Sequence, residues 1–140
     1  MKILILPGDG IGPEIVSVAE AALQALDKKF SLGLSLNRQN VGLSSLKSSG
    51  VTITEEVAKM ANSADGVVLG PASTEDYPSE AEGGINISSW FRKNFDLYAN
   101  IRPSKVRDGV CGHVKKMDLI IVRENTEGFY ADRNMVVGTG

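Results

Sequence analysis

The sequence is short of the residues that most often declare a function. A single cysteine, Cys111, rules out an intrachain disulfide and a cysteine metal cluster. The one histidine, His113, shares a polar stretch with it and has no partner motif, so both read as structural or exposed. The net charge is only −2, and both signs are spread along the chain. That leaves no electrostatic footprint for nucleic acid or for an acidic membrane surface. No apolar run approaches the roughly 18 residues of a membrane helix. The opening residues, MKILILPGDG, are too short in their apolar part for a signal peptide and lack a small-residue cleavage site. Repeats and low-complexity tracts are missing as well. A soluble, reducing, cytoplasmic setting is expected.

What remains is an average globular composition, 42% apolar and 23% charged over 140 residues, enough for one ordinary domain with a sizeable core. Residues 2–6 form a short apolar run ended by Pro7-Gly8 and predict a buried strand. Over residues 13–30, Ile15, Val18, Ala19, Ala22, Leu26 and Phe30 recur at helical spacing, with Pro13 suited to the first turn. Residues 34–41 predict a second strand, and the Ser- and Gly-rich residues 42–50 a loop. Thr52 and Glu55 have the spacing of a capping box that opens a helix lasting to about residue 62. Asp65-Gly66 turns the chain into a third strand at residues 67–69, and residues 70–84 read as a long loop. Helical character returns over residues 87–95, where Trp90, Phe91 and Phe95 read as core. Residues 97–101 suggest a strand ending at Arg102-Pro103, and residues 119–122 a buried one. This alternation indicates an α/β layer with a largely parallel sheet.

Three groups of residues carry chemistry. Gly8-Asp9-Gly10-Ile11-Gly12-Pro13-Glu14 lies between the first strand and first helix, where glycines admit close backbone approach and a helix N-terminus favours anions. A Rossmann fingerprint needs a third glycine where Pro13 stands, so that reading is disfavoured. The plain alternative is a tight turn with Asp9 or Glu14 capping the helix. The second group is Arg92, Arg102 and Arg123 with Tyr130. Arginine's planar fork pairs both oxygens of a carboxylate, and a tyrosine in a basic setting can transfer a proton. Taken singly, each arginine also reads as a solvated surface group. The third, Glu124 and Asn125, either positions a ligand or holds its own loop by hydrogen bonds.

Together LPGDGIGPEI, FRKNFDLYANIRP and VRENTEGFY resemble the isocitrate/isopropylmalate dehydrogenase family, which includes homoisocitrate, tartrate and D-malate dehydrogenases. The three motifs stand in the family's order. The resemblance implies a three-layer isopropylmalate-dehydrogenase-like α/β fold, truncated here, whose N-terminal part holds a largely parallel sheet. Residues 1–99 would be the N-terminal part of the large, cofactor-side domain and residues 100–140 the start of the small, dimerisation domain. It implies NAD- or NADP-dependent oxidation of a 2-hydroxy acid, usually with loss of a β-carboxylate, aided by Mg²⁺ or Mn²⁺. Arg92, Arg102 and Arg123 would bind substrate carboxylates, Ser88 and Asn86 would select the substrate, and Tyr130 would donate a proton to the enolate. Ile11, Pro71, Ala72, Ser73 and Thr74 would lie by the cofactor. Asn86 followed by Ser88 reverses the order common in isocitrate enzymes, whereas RENTEG is nearer the isocitrate and homoisocitrate branches than RELTGG is.

Family members are much longer. The general-base lysine, the metal-binding aspartates and the adenosine-binding segment would fall beyond Gly140, so no metal ligand is assigned within this chain. The expectation is an N-terminal fragment, inactive alone, of an enzyme that acts on a hydroxy di- or tricarboxylate as a homodimer. The alternative is a non-catalytic regulatory or carboxylate-binding subunit of the same fold. An unrelated flavodoxin-like domain would account for the alternating elements but leaves VRENTEGFY unexplained.

Overall fold

A computed structural model describes residues 1–110 and 112–126. The chain divides into two compact units, Met1–Trp90 and Phe91–Gly140.

The first unit is built on three parallel strands, β1 (Lys2–Leu6), β2 (Ser35–Arg38) and β3 (Gly66–Leu69), in the order β2-β1-β3. Ile3 stands opposite Leu36 on one side and Gly66 on the other. A central strand is covered on both faces, so it needs a continuous apolar run rather than an alternating one. Leu4, Ile5 and Leu6 meet that requirement and are buried with Val16, Val41, Ile53, Val57, Ala61 and Ile87. Between the strands lie α1 (Gly12–Phe30), α2 (Leu43–Ser49) and α3 (Glu55–Ser63). The crossovers from β1 to β2 and from β2 to β3 run in opposite directions along the sheet, and their common right-handedness places α1 and α3 on opposite faces.

Helix α1 forms where its periodicity predicts, with Pro13 in the first turn and a left-handed Ser31 closing it onto the Asp27 carbonyl. Its predicted stripe, however, is not the face it buries. Gly12 and Val16 are buried, while Ile15, Val18, Leu26 and Phe30 are 45–68% exposed. Helix α2 occupies residues expected to be loop. Gly42 and Gly50, both at φ 76°, bracket it, and the buried Ser45 hydroxyl donates to the Val51 carbonyl at 2.8 Å. The cap of α3 is Thr54, whose hydroxyl accepts the Val57 amide at 3.3 Å. Thr52, expected to cap, is instead fully buried and donates its hydroxyl to the Ile85 carbonyl at 2.7 Å. The expected loop after β3 holds two short 3₁₀ turns, Thr74–Asp76 and Glu80–Glu82.

Helix α4 (Ile87–Asn94) runs across the boundary between the units. In the second unit, β4 (Ala99–Lys105) and β5 (Asp118–Glu124) pair antiparallel, with Arg102 opposite Ile121 and Asn100 opposite Arg123. β4 passes through Arg102-Pro103 rather than ending there, because a two-stranded ribbon has a free edge that tolerates proline. β5 is not buried: Leu119, Ile120, Ile121 and Val122 are 43–64% exposed. Of the three expected core aromatics, Phe91 is buried and stacks on Phe95 with ring centroids 5.6 Å apart, while Trp90 and Phe95 are half-buried.

Candidate functional site

In the first unit the residues expected near a cofactor lie at the carboxyl ends of β1 and β3. In open α/β sheets that end, at the point where the strand order reverses, is where ligands bind. Here the order reverses between β1 and β3. The two loops close on each other through backbone contact. The Asp9 amide donates to the Pro71 carbonyl at 2.8 Å, and a Cβ on Gly8 would fall 2.0 Å from that same oxygen. Gly8 and Gly12 therefore serve close packing of the chain on itself. Gly10 differs: at φ 56° it has nothing within 4 Å of a notional Cβ, and Ile11 beside it is 61% exposed. Gly10 and Ile11 are the open part of the loop, so a flat ligand can approach the backbone there. Pro71 is exposed on the facing loop, and Ala72, Ser73 and Thr74 are half-buried.

Asp9 does not cap α1, and neither does Glu14; the cap position is Ile11, with no side-chain hydrogen bond. The Asp9 carboxylate is 5% exposed and turned inward. One oxygen accepts the Leu43 amide at 2.7 Å; the other accepts the Ser73 amide at 3.1 Å and the Tyr77 hydroxyl at 2.5 Å. Burial, together with the hydrogen bond to Asp9 and its negative charge, pushes the Tyr77 hydroxyl above the ordinary tyrosine range. Sequence reading did not find Tyr77. It lies in a polar loop with no local pattern, and only the fold brings it to Asp9.

Asn86 begins α4, its side-chain oxygen accepting the Ser89 amide at 3.0 Å. Ser88 is exposed in the first turn, and Arg92 with Lys93 occupies the last turn, where cations complement the helix dipole.

In the second unit, antiparallel register puts Asn100, Arg102, Ile121 and Arg123 on one face of the ribbon, since residues directly opposite share a face and alternate residues repeat it. Arg102 is exposed, and its Nε donates to the Asn100 side-chain oxygen at 2.9 Å. Arg123 is half-buried. Two cations and an amide thus share one face of the ribbon. Glu124 and Asn125 hold the end of β5: the Glu124 carboxylate accepts the Thr126 amide at 2.7 Å, and the buried Asn125 amide donates to the Leu97 carbonyl at 3.0 Å. Tyr130 and Cys111 lie outside the described residues. Among the described residues no three carboxylate, imidazole or thiol side chains come together as a donor set for a metal ion. None of the described helices is long and apolar enough to cross a membrane.

The family model for isocitrate/isopropylmalate dehydrogenases matches residues 2–139. A 3-isopropylmalate dehydrogenase from Hahella chejuensis is 37% identical over 92% of this chain and 38% of its own length. Another from Saccharolobus solfataricus is 31% identical over 99% of this chain and 39% of its own. Among solved structures, an isocitrate dehydrogenase from Methylococcus capsulatus superposes with a TM-score of 0.76 at 29% identity, covering 93% of this chain and 36% of that one. The chain thus spans less than two fifths of the length of these relatives.

Proposed function

The chain belongs to the isocitrate/isopropylmalate dehydrogenase family, and from that premise we propose that the protein carrying it oxidises a 2-hydroxy di- or tricarboxylate with NAD or NADP. Loss of the β-carboxylate follows the oxidation. Arg92, Arg102 and Arg123 bind the substrate carboxylates, each charge-assisted bond contributing about 1.5–3 kcal/mol. Ser88 and Asn86 meet the part of the substrate that distinguishes one hydroxy acid from another, and Tyr130 returns a proton to the enolate. Gly10, Ile11 and residues 71–74 face the nucleotide. The single observation that carries the reading is the placement of Arg102 and Arg123 on one ribbon face, in a chain whose whole described length matches the family. A Mg²⁺ or Mn²⁺ ion would supply a Lewis acid for the reacting oxygen. The described residues offer no set of ligands that fits it. Their own contribution is to bind, orient and exclude water.

The same reading makes residues 1–99 part of the cofactor-side domain, residues 100–140 the beginning of a dimerisation domain, and the working form a cytoplasmic homodimer. The test is to supply the protein that carries this chain with Mg²⁺, NAD⁺ or NADP⁺, and isocitrate, isopropylmalate, homoisocitrate, tartrate or malate in turn. Formation of NAD(P)H with one acid supports the proposal. Binding of an acid without NAD(P)H from any of them would replace it with a regulatory, carboxylate-binding subunit.

A further inference from the structure

We infer that Asp9 is a positioning residue that sets the shape of the nucleotide-facing surface, acting through the loops it ties together rather than by touching the nucleotide. The inference rests on the nucleotide reading of those loops.

Residue 9 makes five hydrogen bonds that join separate parts of the first unit. Its carboxylate accepts from Leu43 after β2, and from Ser73 and Tyr77 after β3. Its backbone donates to Pro71 and accepts from Gly12 at the start of α1. A carboxylate buried in this way loses its hydration, and only a full set of well-placed donors offsets that cost. The three donors on its side chain come from two different loops, so neither loop can shift without leaving the charge undersatisfied. The space around it is equally committed. A Cβ on Gly42 would fall 2.3 Å from the Asp9 carboxylate, and one on Gly70 would fall 1.9 Å from the Pro7 carbonyl.

Asp9 itself is buried, while Leu43, Ser73 and Tyr77 are half-buried. The open surface belongs to their neighbours: Gly10 and Ile11 follow Asp9 directly, and Pro71, Ala72 and Thr74 flank Ser73. A shift in residue 9 therefore moves both walls of the surface together. Tyr77 is the side-chain bolt, because its hydroxyl is the only side-chain donor among the three and can be removed without altering backbone hydrogen bonds.

The test uses the protein that carries this chain and three variants. Tyr77→Phe removes one donor and keeps the ring. Asp9→Asn keeps the shape but sets an amide against the donors at Ser73 and Tyr77. Asp65→Asn is the control, since the Asp65 carboxylate accepts the Lys2 amide at 2.7 Å at the opposite end of the strands. Amide hydrogen exchange is read over residues 8–12, 41–43 and 71–77, and NAD⁺ and NADP⁺ affinity by calorimetry. For Tyr77→Phe and Asp9→Asn, exchange is expected to rise about tenfold in all three segments together, and nucleotide affinity to fall about tenfold. Asp65→Asn should do neither, and the substrate KM should stay within about twofold in all variants. A rise confined to residues 74–77 in Tyr77→Phe overturns the inference, as does loosening of all three segments with unchanged nucleotide affinity. If the unaltered protein binds neither nucleotide, the dehydrogenase reading fails, while concerted exchange in the variants would still support Asp9 as the tie between the loops.

Discussion

The two units of this chain solve the burial problem to very different degrees. Met1–Trp90 encloses its central strand, with Ile5 and Leu6 at 0% exposure and helices crossing over to either side. In the second unit the described strands make a two-stranded ribbon that leaves Ile101, Ile120 and Val122 more than 60% exposed. Two strands alone rarely hold together in water. The contrast separates two kinds of functional residue. Asp9 and its partners are fixed by buried hydrogen bonds within their own unit. Arg102 and Arg123 share a face through strand register, on a ribbon to which the described residues give little core. The loops around Asp9 can be preorganised as the proposed nucleotide surface, while the proposed carboxylate grip would depend on what else covers the ribbon.

Substitutions can break or sharpen that comparison. The largest effect belongs to Ile5→Ala, which should destabilise the chain by about 2–5 kcal/mol through lost burial and a residual cavity. The matching change on the ribbon, Ile120→Ala, should cost no more than about 0.5 kcal/mol, as exposed positions do. Equal losses in a urea titration would abolish the contrast. Next comes a pair of polar contacts. Thr54→Ala removes the cap of α3 and should cost about 1 kcal/mol, with Thr54→Ser retaining most of it. Lys105→Ala removes the ion pair with Asp118, 2.6 Å long but with both side chains 65% exposed. It should cost well under about 1 kcal/mol and less still in high salt. The last prediction concerns Tyr77 and pH. Its hydroxyl titrates higher when folded than when unfolded, so the neutral form supports the fold. That stability is fully present below the ordinary tyrosine value of about 10 and is lost as pH climbs through the higher folded value. Tyr77→Phe should flatten the alkaline limb of a stability–pH profile and, at neutral pH, cost about 1.5–3 kcal/mol for the hydrogen bond lost to the Asp9 carboxylate.

The legibility of the sequence follows the same division. β1, α1, α3 and β3 were readable because each repeats a local period or ends in a strong turn. α2 was not, because seven residues of mostly serine and leucine between two glycines look like a loop until the helix is seen closing under Asp9. The Thr52–Glu55 spacing misleads because Thr54, two residues further on, takes the cap while Thr52 is drawn inward to the Ile85 carbonyl. The apolar run in β5 was read as buried from its composition. Burial depends on what lies opposite, which a strand's own residues do not encode. The arginines were found by motif and not by environment. Asp9 was seen, but as a helix cap; its partners Leu43, Ser73 and Tyr77 are 34 to 68 positions away.

The central claim is that the ribbon face bearing Arg102 and Arg123 grips a hydroxy-acid carboxylate. Isothermal titration of isocitrate, and separately of isopropylmalate, into the protein that carries this chain tests it most directly, with Arg102→Ala measured beside it. Arg102 is exposed and its removal leaves the core untouched. The account predicts saturable heat with one of the two acids and an affinity at least about tenfold weaker in Arg102→Ala, in line with one lost charge-assisted hydrogen bond. Equal affinity in the two proteins, or no heat from either acid, would contradict it.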